Sequence, residues 1–490
     1  MRRGATAIYI DVSHPEIVEF VESRKVGGDE NRKLFHIHNA VNIPDRFMEA
    51  VEAGHEWELI DPHSKLVVKS ISARDLWDRI LRVRMETGEP YLHFCDTSNR
   101  YLPQALKDKG LRINGSNLCS EIFLPTSAER TAVCVLSSVN IEYFDEWQHE
   151  EQFIPDVLEM LDNVITVFTQ KAPDELSKAV HSALNERSVG LGAMGFHLYL
   201  QKRGIPFESA MASSVNRRVF EHIHTRALKT NYLLGHIRGE APDLQTTLTF
   251  EFADGAKADM PSSTRVQTQR GRLRAFEVGA GDIIDTLHRG QWEIQTNVVK
   301  WVHGAHSHQG RRLSHMIAIA PNASSAILCG TTSPGIELYT SNLFTQKKGR
   351  FSFVVKNKQL DKLLQEKYHL SGKQLDDVWG KILLDEGSVQ NLSFMEASDK
   401  EVFKTAREID QAWVIEHASV RQPFICQGQS VNLFVNADTK MSYLRSLHKA
   451  AWKKGLKALY YLRAKNLVSM TGTSGKSQID PMLGCISCGG

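Results

Sequence analysis

The chain has 490 residues, of which 42% are apolar, as in a globular protein of about two to four average domains or one large barrel. Its formal net charge of +2 gives no electrostatic case for binding nucleic acid or a membrane surface, and no apolar run is long enough to span a membrane. Seven scattered cysteines, an odd number, argue against a secreted disulfide framework and favour a reducing compartment, for which we expect the cytoplasm.

Residues 1–244 alternate strand-like and helical segments, which predicts an α/β domain. The opening segment ATAIYIDV is predicted to be a buried strand with almost no lead-in. Because a buried strand needs neighbours on both sides, we expect a missing or separate preceding part. The segments ARDLWDRILRVRMETG and FIPDVLEMLDNVITVFTQ have apolar residues at helical spacing, and Gly88 is predicted to end the first helix.

The segment GSNLCSEI places Asn117, Cys119 and Glu121 at alternate positions, which lie on one side of an extended chain. A carboxylate raises the pKa of a nearby thiol, so Cys119 would be a poor thiolate nucleophile. The arrangement better suits a neutral sulfur that acts as a radical beside a carboxylate that moves a proton. The simpler interpretation is a buried packing cysteine. Cys134 follows in a second apolar segment, TAVCVLSSVNI.

The segment GLGAMG, with Gly190, Gly192 and Gly195, fits the dinucleotide-binding pattern G-x-G-x-x-G. A dinucleotide site requires a strand before the glycines, but the preceding HSALNERSV is mostly helical and polar. We therefore predict a tight strand-to-helix turn here, without a nucleotide.

Residues 245–310 are predicted to form a small β module inserted into a surface loop. Hairpin turns are expected at Asp254-Gly255 and at Arg270-Gly271. The segment TQRGRLRAFEVGAGDII resembles the fold of self-splicing proteins. No Cys or Ser nucleophile opens the module and no His-Asn pair closes it, so splicing is not expected.

Residues 311–467 return to the α/β pattern, with a strand, a turn and a helix in SHMIAIAPNASSAIL. Ser324 and Ser325 are predicted to begin that helix, whose free N–H groups suit a phosphate, although an ordinary N-cap has the same sequence. Residues 468–490 are predicted to be a flexible tail that ends in a C-x-x-C pair, Cys485 and Cys488. By itself this pair could be half of an intermolecular metal site, a thiol oxidoreductase motif or an inert end.

Five segments occur in an order that resembles the large subunit of class I ribonucleotide reductases: SNLCSEI, AVCVLSSVN, IAIAPNASSAI, LKALYYLR and the terminal C-x-x-C. The resemblance covers residues 1–244 and 311–490. It implies a ten-stranded α/β barrel, incomplete at its N-terminal side and interrupted by the inserted β module. It also implies that ribonucleoside diphosphates are reduced to 2′-deoxyribonucleoside diphosphates by thiyl-radical chemistry.

The resemblance assigns roles to the residues around the first cysteine motif. Cys119 would form the thiyl radical that abstracts the 3′-hydrogen of the ribose. Glu121 would take the proton of the 3′-hydroxyl, and Asn117 would hydrogen-bond the substrate. Cys134 matches one of two buried thiols that reduce the radical intermediate and end as a disulfide.

The resemblance also explains the tyrosines and the tail. Tyr460 and Tyr461 match a tyrosine pair that carries an oxidising equivalent from a small, metal-containing subunit, so this chain would bind no radical cofactor itself. As bare sequence they could equally be two core aromatics. Cys485 and Cys488 would reduce the buried disulfide and would then be reduced by thioredoxin or glutaredoxin.

Two further segments match nucleotide-binding parts of the family. The loop KVGGDENRK matches the loop that links the specificity site for nucleotide effectors (ATP, dNTPs) to the substrate, through Lys25, Gly27, Gly28 and Arg32. The residues expected to contact the substrate and its diphosphate are Ser116, Asn117, Pro321, Asn322, Ala323, Ser324 and Ser325.

The family's N-terminal segments, which carry the second buried thiol, have no match here. We therefore expect a C-terminal half of a split large subunit that works with an N-terminal half and the small subunit, or else an incomplete fragment. The alternative function is a catalytically inactive barrel scaffold, which the intact set of cysteines and tyrosines disfavours. The remaining cysteines, Cys95, Cys329 and Cys426, are predicted to be packing residues.

Overall fold

The computed structural model describes residues 4–245, 310–348 and 351–465, together with strands between residues 247 and 303. The predicted tail, with Cys485 and Cys488, lies outside the described residues. The strands are β1 (Ala7–Asp11), β2 (His38–Ile43), β3 (Glu56–Ile60), β4 (Val67–Ser72), β5 (Tyr91–Phe94), β6 (Val135–Asn140), β7 (Val189–Met194), β8 (Thr247–Phe252), β9 (Lys257–Pro261), β10 (Arg265–Thr268), β11 (Gly271–Arg274), β12 (Ile284–His288), β13 (Gln291–Gln295), β14 (Val298–His303), β15 (Leu343–Lys348), β16 (Phe351–Lys356), β17 (Leu433–Val435), β18 (Ala458–Leu459) and β19 (Leu462–Ala464). The helices are α1 (Ile17–Glu22), α2 (Asp45–Ala53), α3 (Ala73–Thr87), α4 (Cys95–Arg100), α5 (Gln104–Asp108), α6 (Phe144–Trp147), α7 (Phe153–Lys171), α8 (Ser177–Glu186), α9 (Phe196–Lys202), α10 (Ala210–Arg238), α11 (Ala323–Leu328), α12 (Lys358–Glu366), α13 (Gly372–Leu384), α14 (Ala397–Val402), α15 (Gln411–Arg421) and α16 (Met441–Lys453).

The main sheet has the strand order β1-β2-β5-β18, in which the first three strands are parallel and β18 is antiparallel to β5. Two other parallel pairs, β6-β7 and β17-β19, lie in separate sheets. Single parallel bridges from Leu191 to Ile317 and from Ile319 to Gln429 continue the arrangement beyond β7. Parallel strands joined by helices confirm the predicted α/β class. Among the described residues the sheets do not close into one ring.

The first strand was predicted to be buried, and this is only half right. β1 forms where expected, but its residues are half-buried or exposed, and Ile8 is 43% exposed. The reason is its place at the edge of the described sheet, where β2 is its hydrogen-bonded neighbour.

The helix predictions hold in detail. The hydroxyl of Ser72 accepts the backbone N–H of Asp75 at the start of α3, and Gly88 ends the helix in the left-handed conformation that glycine adopts most easily. The second predicted helix is α7. None of the described helices combines the length and the apolar character that crossing a membrane requires.

The glycine segment GLGAMG forms the predicted strand-to-helix turn. It supplies most of β7, and Gly195 then turns the chain into α9 with a φ of 85°. The G-x-G-x-x-G match is therefore a coincidence of sequence, since these glycines lie in a strand and in the turn that follows it.

The predicted β module contains two antiparallel sheets, ordered β14-β8-β9 and β11-β10-β12-β13. The antiparallel pairs β8-β9 and β10-β11 confirm the two predicted hairpins, although Gly271, predicted to lie in the second turn, already pairs with Thr268 in β11. The chain leaves and re-enters the α/β part at neighbouring points. The backbone N–H of Ala241 donates to the carbonyl of Arg311 at 3.3 Å, and that of Gly310 donates to Glu240 Oε1 at 2.7 Å.

Candidate active site

Cys119 lies in a turn rather than in the predicted extended segment. Ser120 has a left-handed φ of 61°, which reverses the chain. The side-chain oxygen of Asn117 accepts the backbone N–H groups of Glu121 and Ile122, each at 3.1 Å. The structure thus gathers Asn117, Cys119 and Glu121, but through an asparagine-stabilised turn and not through strand alternation.

Two hydroxyl groups from distant parts of the chain support this turn. Ser430 Oγ donates to the carbonyl of Cys119 at 2.6 Å and lies 3.2 Å from Glu121 Oε2. The hydroxyl of Tyr9 donates to the carbonyl of Asn117 at 3.2 Å. Burial raises the pKa of Tyr9 above its ordinary value, which keeps the phenol protonated as a donor. No sequence pattern linked these residues to Cys119.

Tyr460 and Tyr461 form a series of contacts that leads to the sulfur of Cys119. The Tyr460 hydroxyl lies 3.6 Å from Cys119 Sγ, and the two tyrosine rings have centroids 4.4 Å apart. A third tyrosine, Tyr91, packs against both rings at 4.7 and 5.0 Å. The sequence left open whether the adjacent tyrosines would pack together. In the short stretch between β18 and β19 they do, and they form an unbroken series of contacts that ends at the sulfur.

Cys134 lies directly before β6 and close to the same turn. Gln427 Nε2 is 3.4 Å from its sulfur, and Ser188 Oγ is 4.0 Å away. Burial raises the pKa of the Cys134 thiol to about 12, with the charge of Glu121 adding to the effect. The thiol therefore stays protonated at neutral pH, as a hydrogen donor requires.

The segment predicted to hold a phosphate forms a turn and a short helix. Asn322 has a left-handed φ of 58°, and α11 begins at Ala323, one residue before the predicted Ser324. Asn322 Nδ2 donates to Ser138 Oγ at 2.8 Å, which ties the turn to β6. Ala323 packs against the cluster that contains Cys119 and the tyrosines, so the turn borders that cluster.

The other predicted substrate residues lie beside these turns. Pro321 is buried, and Ser324 and Ser325 are half-buried in α11. The hydroxyl of Ser116 donates to the carbonyl of Ile122 at 2.8 Å, which braces the Cys119 turn from its other end.

A cavity of about 430 Å³ extends from Ala323 to Arg463, the residue that covers the Tyr461 ring. Its wall includes Glu337, Arg407 and Arg463, and the Arg463 guanidinium carbon is 4.3 Å from the centre of the Tyr461 ring. Burial raises the pKa of Glu337 to about 7, against the opposing charge of Arg463. A concave site of this size suits a small molecule or a partner's side chains.

The predicted effector loop lies on the surface after α1. Gly27 and Gly28 both have a left-handed φ of 89°, a value that residues with a side chain rarely adopt. Lys25 Nζ lies 3.1 Å from Glu86, and Arg32 lies 3.3 Å from Glu19. The allosteric role of this loop stays a prediction.

The remaining cysteines fit the packing prediction in part. Cys95 is buried, and the half-buried Cys426 accepts the backbone N–H groups of Met316 and Ile317 at 3.1 Å. Cys329 is exposed at the end of α11, so the prediction was wrong there. Within the described residues we find no cluster of His, Cys, Asp and Glu that could hold a metal ion.

The chain has relatives among known protein families and solved structures. The family model for the barrel domain of ribonucleotide reductase matches residues 1–462. The ribonucleoside-diphosphate reductase large subunit of Invertebrate iridescent virus 3 is 38% identical over 523 residues, covering 96% of this chain and 73% of the relative. The ribonucleoside-diphosphate reductase subunit alpha of Chlamydia trachomatis is 31% identical over 96% of this chain, which spans 45% of that relative. The class Id ribonucleotide reductase alpha subunit of Actinobacillus ureae has a similar structure, with a TM-score of 0.72, 31% identity, and coverage of 96% of this chain and 72% of that one.

Proposed function

The chain belongs to the ribonucleotide reductase large-subunit family, and we propose from this premise that it reduces ribonucleoside diphosphates to 2′-deoxyribonucleoside diphosphates by thiyl-radical chemistry. One observation carries the proposal. The series of contacts from Tyr461 through Tyr460 ends 3.6 Å from the sulfur of Cys119, and Glu121 lies in the same turn. A scaffold protein has no need for this arrangement.

In the proposed cycle an oxidising equivalent reaches Tyr461 from the metal-containing small subunit and moves through Tyr460 to Cys119. The resulting thiyl radical abstracts the 3′-hydrogen of the ribose while Glu121 takes the proton of the 3′-hydroxyl. The 2′-hydroxyl takes a proton from one thiol of the pair and leaves as water. Cys134 and the second thiol lose two hydrogens in all, one of which goes to the 2′-carbon, and become a disulfide. Glu121 then returns its proton to the 3′-oxygen, and Cys119 returns its hydrogen to the 3′-carbon.

The proposed role of Cys134 is supported by its raised pKa, because a protonated thiol can give a hydrogen atom to a radical. Cys485 and Cys488 would reduce the buried disulfide by thiol exchange and would become a disulfide themselves. Thioredoxin or glutaredoxin would then reduce this second disulfide. Both lie outside the described residues, so their part in the proposal rests on the sequence.

Nucleotide recognition is proposed at two places. The turn from Pro321 to Ser325 would bind the substrate diphosphate, and its position beside the Cys119 cluster supports this. Effectors (ATP, dNTPs) would act through the loop that contains Lys25, Gly27, Gly28 and Arg32. The chain is not proposed to bind a metal, since the radical would come from the small subunit.

The proposal is tested by CDP reduction with a class I small subunit and thioredoxin, first with this chain alone and then with an N-terminal half of the large subunit. Activity only in the mixture would bear out the predicted split subunit. Cys119→Ala should abolish activity and leave assembly unchanged, because the thiyl radical cannot form. Cys329→Ala, at an exposed cysteine, is the matched control and should retain activity. If the native chain forms a stable complex that has no activity, the result would favour the alternative function, a catalytically inactive scaffold.

A further inference from the structure

One fully buried glutamine joins the two reactive parts of the proposed site. The side-chain oxygen of Gln427 accepts the backbone N–H of Phe123, at the end of the Cys119 turn, at 3.1 Å. Its side-chain nitrogen lies 3.4 Å from Cys134 Sγ. A single side chain therefore spans from the turn that holds the proposed radical cysteine to the cysteine that would reduce the substrate.

The hydrogen bonds of Gln427 also fix which way its amide group points. Nε2 donates to the carbonyl of Val189 at 3.0 Å, and only the amide oxygen can accept the N–H of Phe123. The nitrogen is therefore the atom that faces the sulfur. Because Nε2 can only donate, Cys134 Sγ accepts this hydrogen bond and its own S–H bond points away from the glutamine.

The backbone next to Gln427 lies along the same turn. The N–H of Gly428 donates to the carbonyl of Glu121 at 2.8 Å. A Cβ on Gly428 would overlap the ring of Phe123, so the two segments are in close contact. The glutamine is thus anchored on the turn, and its amide reaches from there to the sulfur of Cys134.

In the proposed cycle the two cysteines act on neighbouring carbons of one ribose. Cys119 removes the 3′-hydrogen, and after water has left, the thiol pair of Cys134 gives a hydrogen to the 2′-carbon. A small misplacement of the reacting groups slows such a transfer strongly. If the transfer is slow, the S–H of Cys119 can give its hydrogen to the 2′-carbon instead and become the thiyl radical again.

This side reaction has a distinct product. The proton held by Glu121 replaces the one that the thiol pair gave to the leaving water, so the pair stays reduced. The nucleotide has lost only water, without net oxidation or reduction, and a 3′-ketone remains. Elimination from this ketone releases the free base from C1′ and the diphosphate from C5′.

We propose that Gln427 is a positioning residue that keeps Cys134 in register with the Cys119 turn, so that the thiol pair reduces the 2′-carbon before the side reaction occurs; this rests on the proposed function. Gln427 acts through the two cysteines and does not touch the substrate. Its loss should therefore change the ratio of the products and not the rate alone.

The test is Gln427→Met in the assembly that reduces CDP, because methionine keeps the length of the side chain and removes both hydrogen-bonding groups. We expect the ratio of free cytosine to dCDP to rise by about 10-fold, as for the loss of one hydrogen bond that acts only on the hydrogen transfer. Gln427→Glu is the second variant and should also raise the ratio, because its carboxylate accepts the Phe123 N–H but has no N–H for the sulfur. Melting temperatures and binding of the small subunit check that each variant assembles.

The matched control is Gln429→Met, at another buried glutamine two positions along the chain. Its amide group is bonded to Ala418, Arg421 and Gln422, in and directly after α15. This substitution should lower the melting temperature and leave the ratio of cytosine to dCDP at the native value.

The outcomes separate the inference from the proposed function. A native product ratio in the assembled Gln427 variants, whether or not the rate falls, would overturn the inference. An equal rise in Gln429→Met would overturn it too, since a general loosening of the fold would then explain the effect. Cys134→Ala tests the proposed function and should release cytosine without forming dCDP. If Cys134→Ala forms dCDP at the native rate, the proposed role of Cys134 is wrong and the inference falls with it.

Discussion

One of the two distant hydroxyl groups that support the Cys119 turn contacts the cysteine itself. Ser430 follows Cys119 by 311 residues, yet its Oγ bonds the carbonyl of Cys119 and lies within hydrogen-bonding distance of Glu121. In the proposed cycle a cysteine and a carboxylate act on the same ribose, and they would need fixed relative positions. Ser430 supplies that constraint, and we regard it as a positioning residue.

Ser430→Ala should therefore weaken catalysis more than it weakens folding. A lost hydrogen bond between neutral groups is worth about 0.5–1.5 kcal/mol, which corresponds to a roughly 2- to 10-fold lower kcat if it acts in the transition state. The measurement is kcat for CDP reduction in the assembled enzyme, beside the melting temperature. Ser446→Ala, whose hydroxyl caps only the Tyr443 carbonyl on an exposed helix face, is the control. Wild-type kcat in Ser430→Ala would contradict this role.

At the scale of single residues, the sequence identified the candidate reactive residues but not the groups that lie against them. Cys119, Glu121 and the tyrosine pair stood in recognisable segments. Ser430, Tyr9 and Gln427 did not, because a hydroxyl or an amide carries no local signal of what it will contact across the fold. The expected geometry at Cys119 was also wrong, since the left-handed Ser120 makes a turn where alternation suggested a strand.

Among the elements, β7 has a glycine at which another backbone approaches closely. A Cβ on Gly192 would lie 2.9 Å from the carbonyl oxygen of Ala318 and 2.7 Å from Ser138 Oγ. Ser138 is also the hydroxyl that accepts the hydrogen bond from Asn322 in the proposed phosphate turn. The packing of this strand and the shape of the turn are therefore linked.

Gly192→Ala should destabilise the protein by about 1–3 kcal/mol, the usual cost of overpacking, because the Ala318 carbonyl lies between the bridged residues Ile317 and Ile319 and cannot move without disturbing those bridges. Gly380→Ala is the matched control. A Cβ there meets nothing within 4 Å in helix α13, so we expect up to about 1 kcal/mol of stabilisation from helix propensity. Denaturant unfolding of both variants measures the two changes in the free energy of unfolding. Equal effects of the two substitutions would refute the close-approach argument.

In the molecule as a whole, Asp162 of α7 joins three parts of the chain. Its carboxylate is fully buried and lies 2.7 Å from Arg187, 2.8 Å from Arg238 and 3.2 Å from Arg312. Burial alone would raise its pKa, but the charges of Arg187 and Arg312 outweigh burial and hold it below the ordinary value.

A lowered pKa in the folded state has a definite consequence for stability. The contribution of Asp162 is complete above the unfolded pKa, about 3.9, and is lost as the pH falls through the lower folded value. Asp162→Asn should lower the free energy of unfolding by about 3–5 kcal/mol at pH 7, because it leaves the arginines without their buried partner. The variant should also lack the loss of stability that protonation of Asp162 causes at acid pH.

Free energies of unfolding at pH 7 and below pH 4 measure the effect of Asp162→Asn. Asp376→Asn, at a 77% exposed carboxylate 3.7 Å from Lys356, should change stability by less than about 1 kcal/mol. A similarly small change for Asp162→Asn would show that the buried cluster is not a main source of stability.

The inserted module leads to the other prediction at this scale. Its two ends are joined at Ala241–Arg311 and Glu240–Gly310, so the surrounding fold closes without it. Replacing residues 246–309 by a short glycine linker should leave the melting temperature of the α/β part within a few degrees. If the module seals a junction with an N-terminal partner, binding of that partner should weaken in the same variant, and unchanged binding would dismiss that role.

The sequence by itself determined the α/β class, the main helices with their caps, the hairpins of the module and the family. These depend on residue periodicity, glycine positions and short ordered segments, all of which are local properties. The tertiary structure decided which tyrosines touch the sulfur, which serine holds the reactive turn, and which glutamine joins that turn to Cys134. Those contacts join residues from 293 to 341 positions apart. Only the path of the chain through the parallel strands brings them together, since no local pattern encodes a contact across that separation.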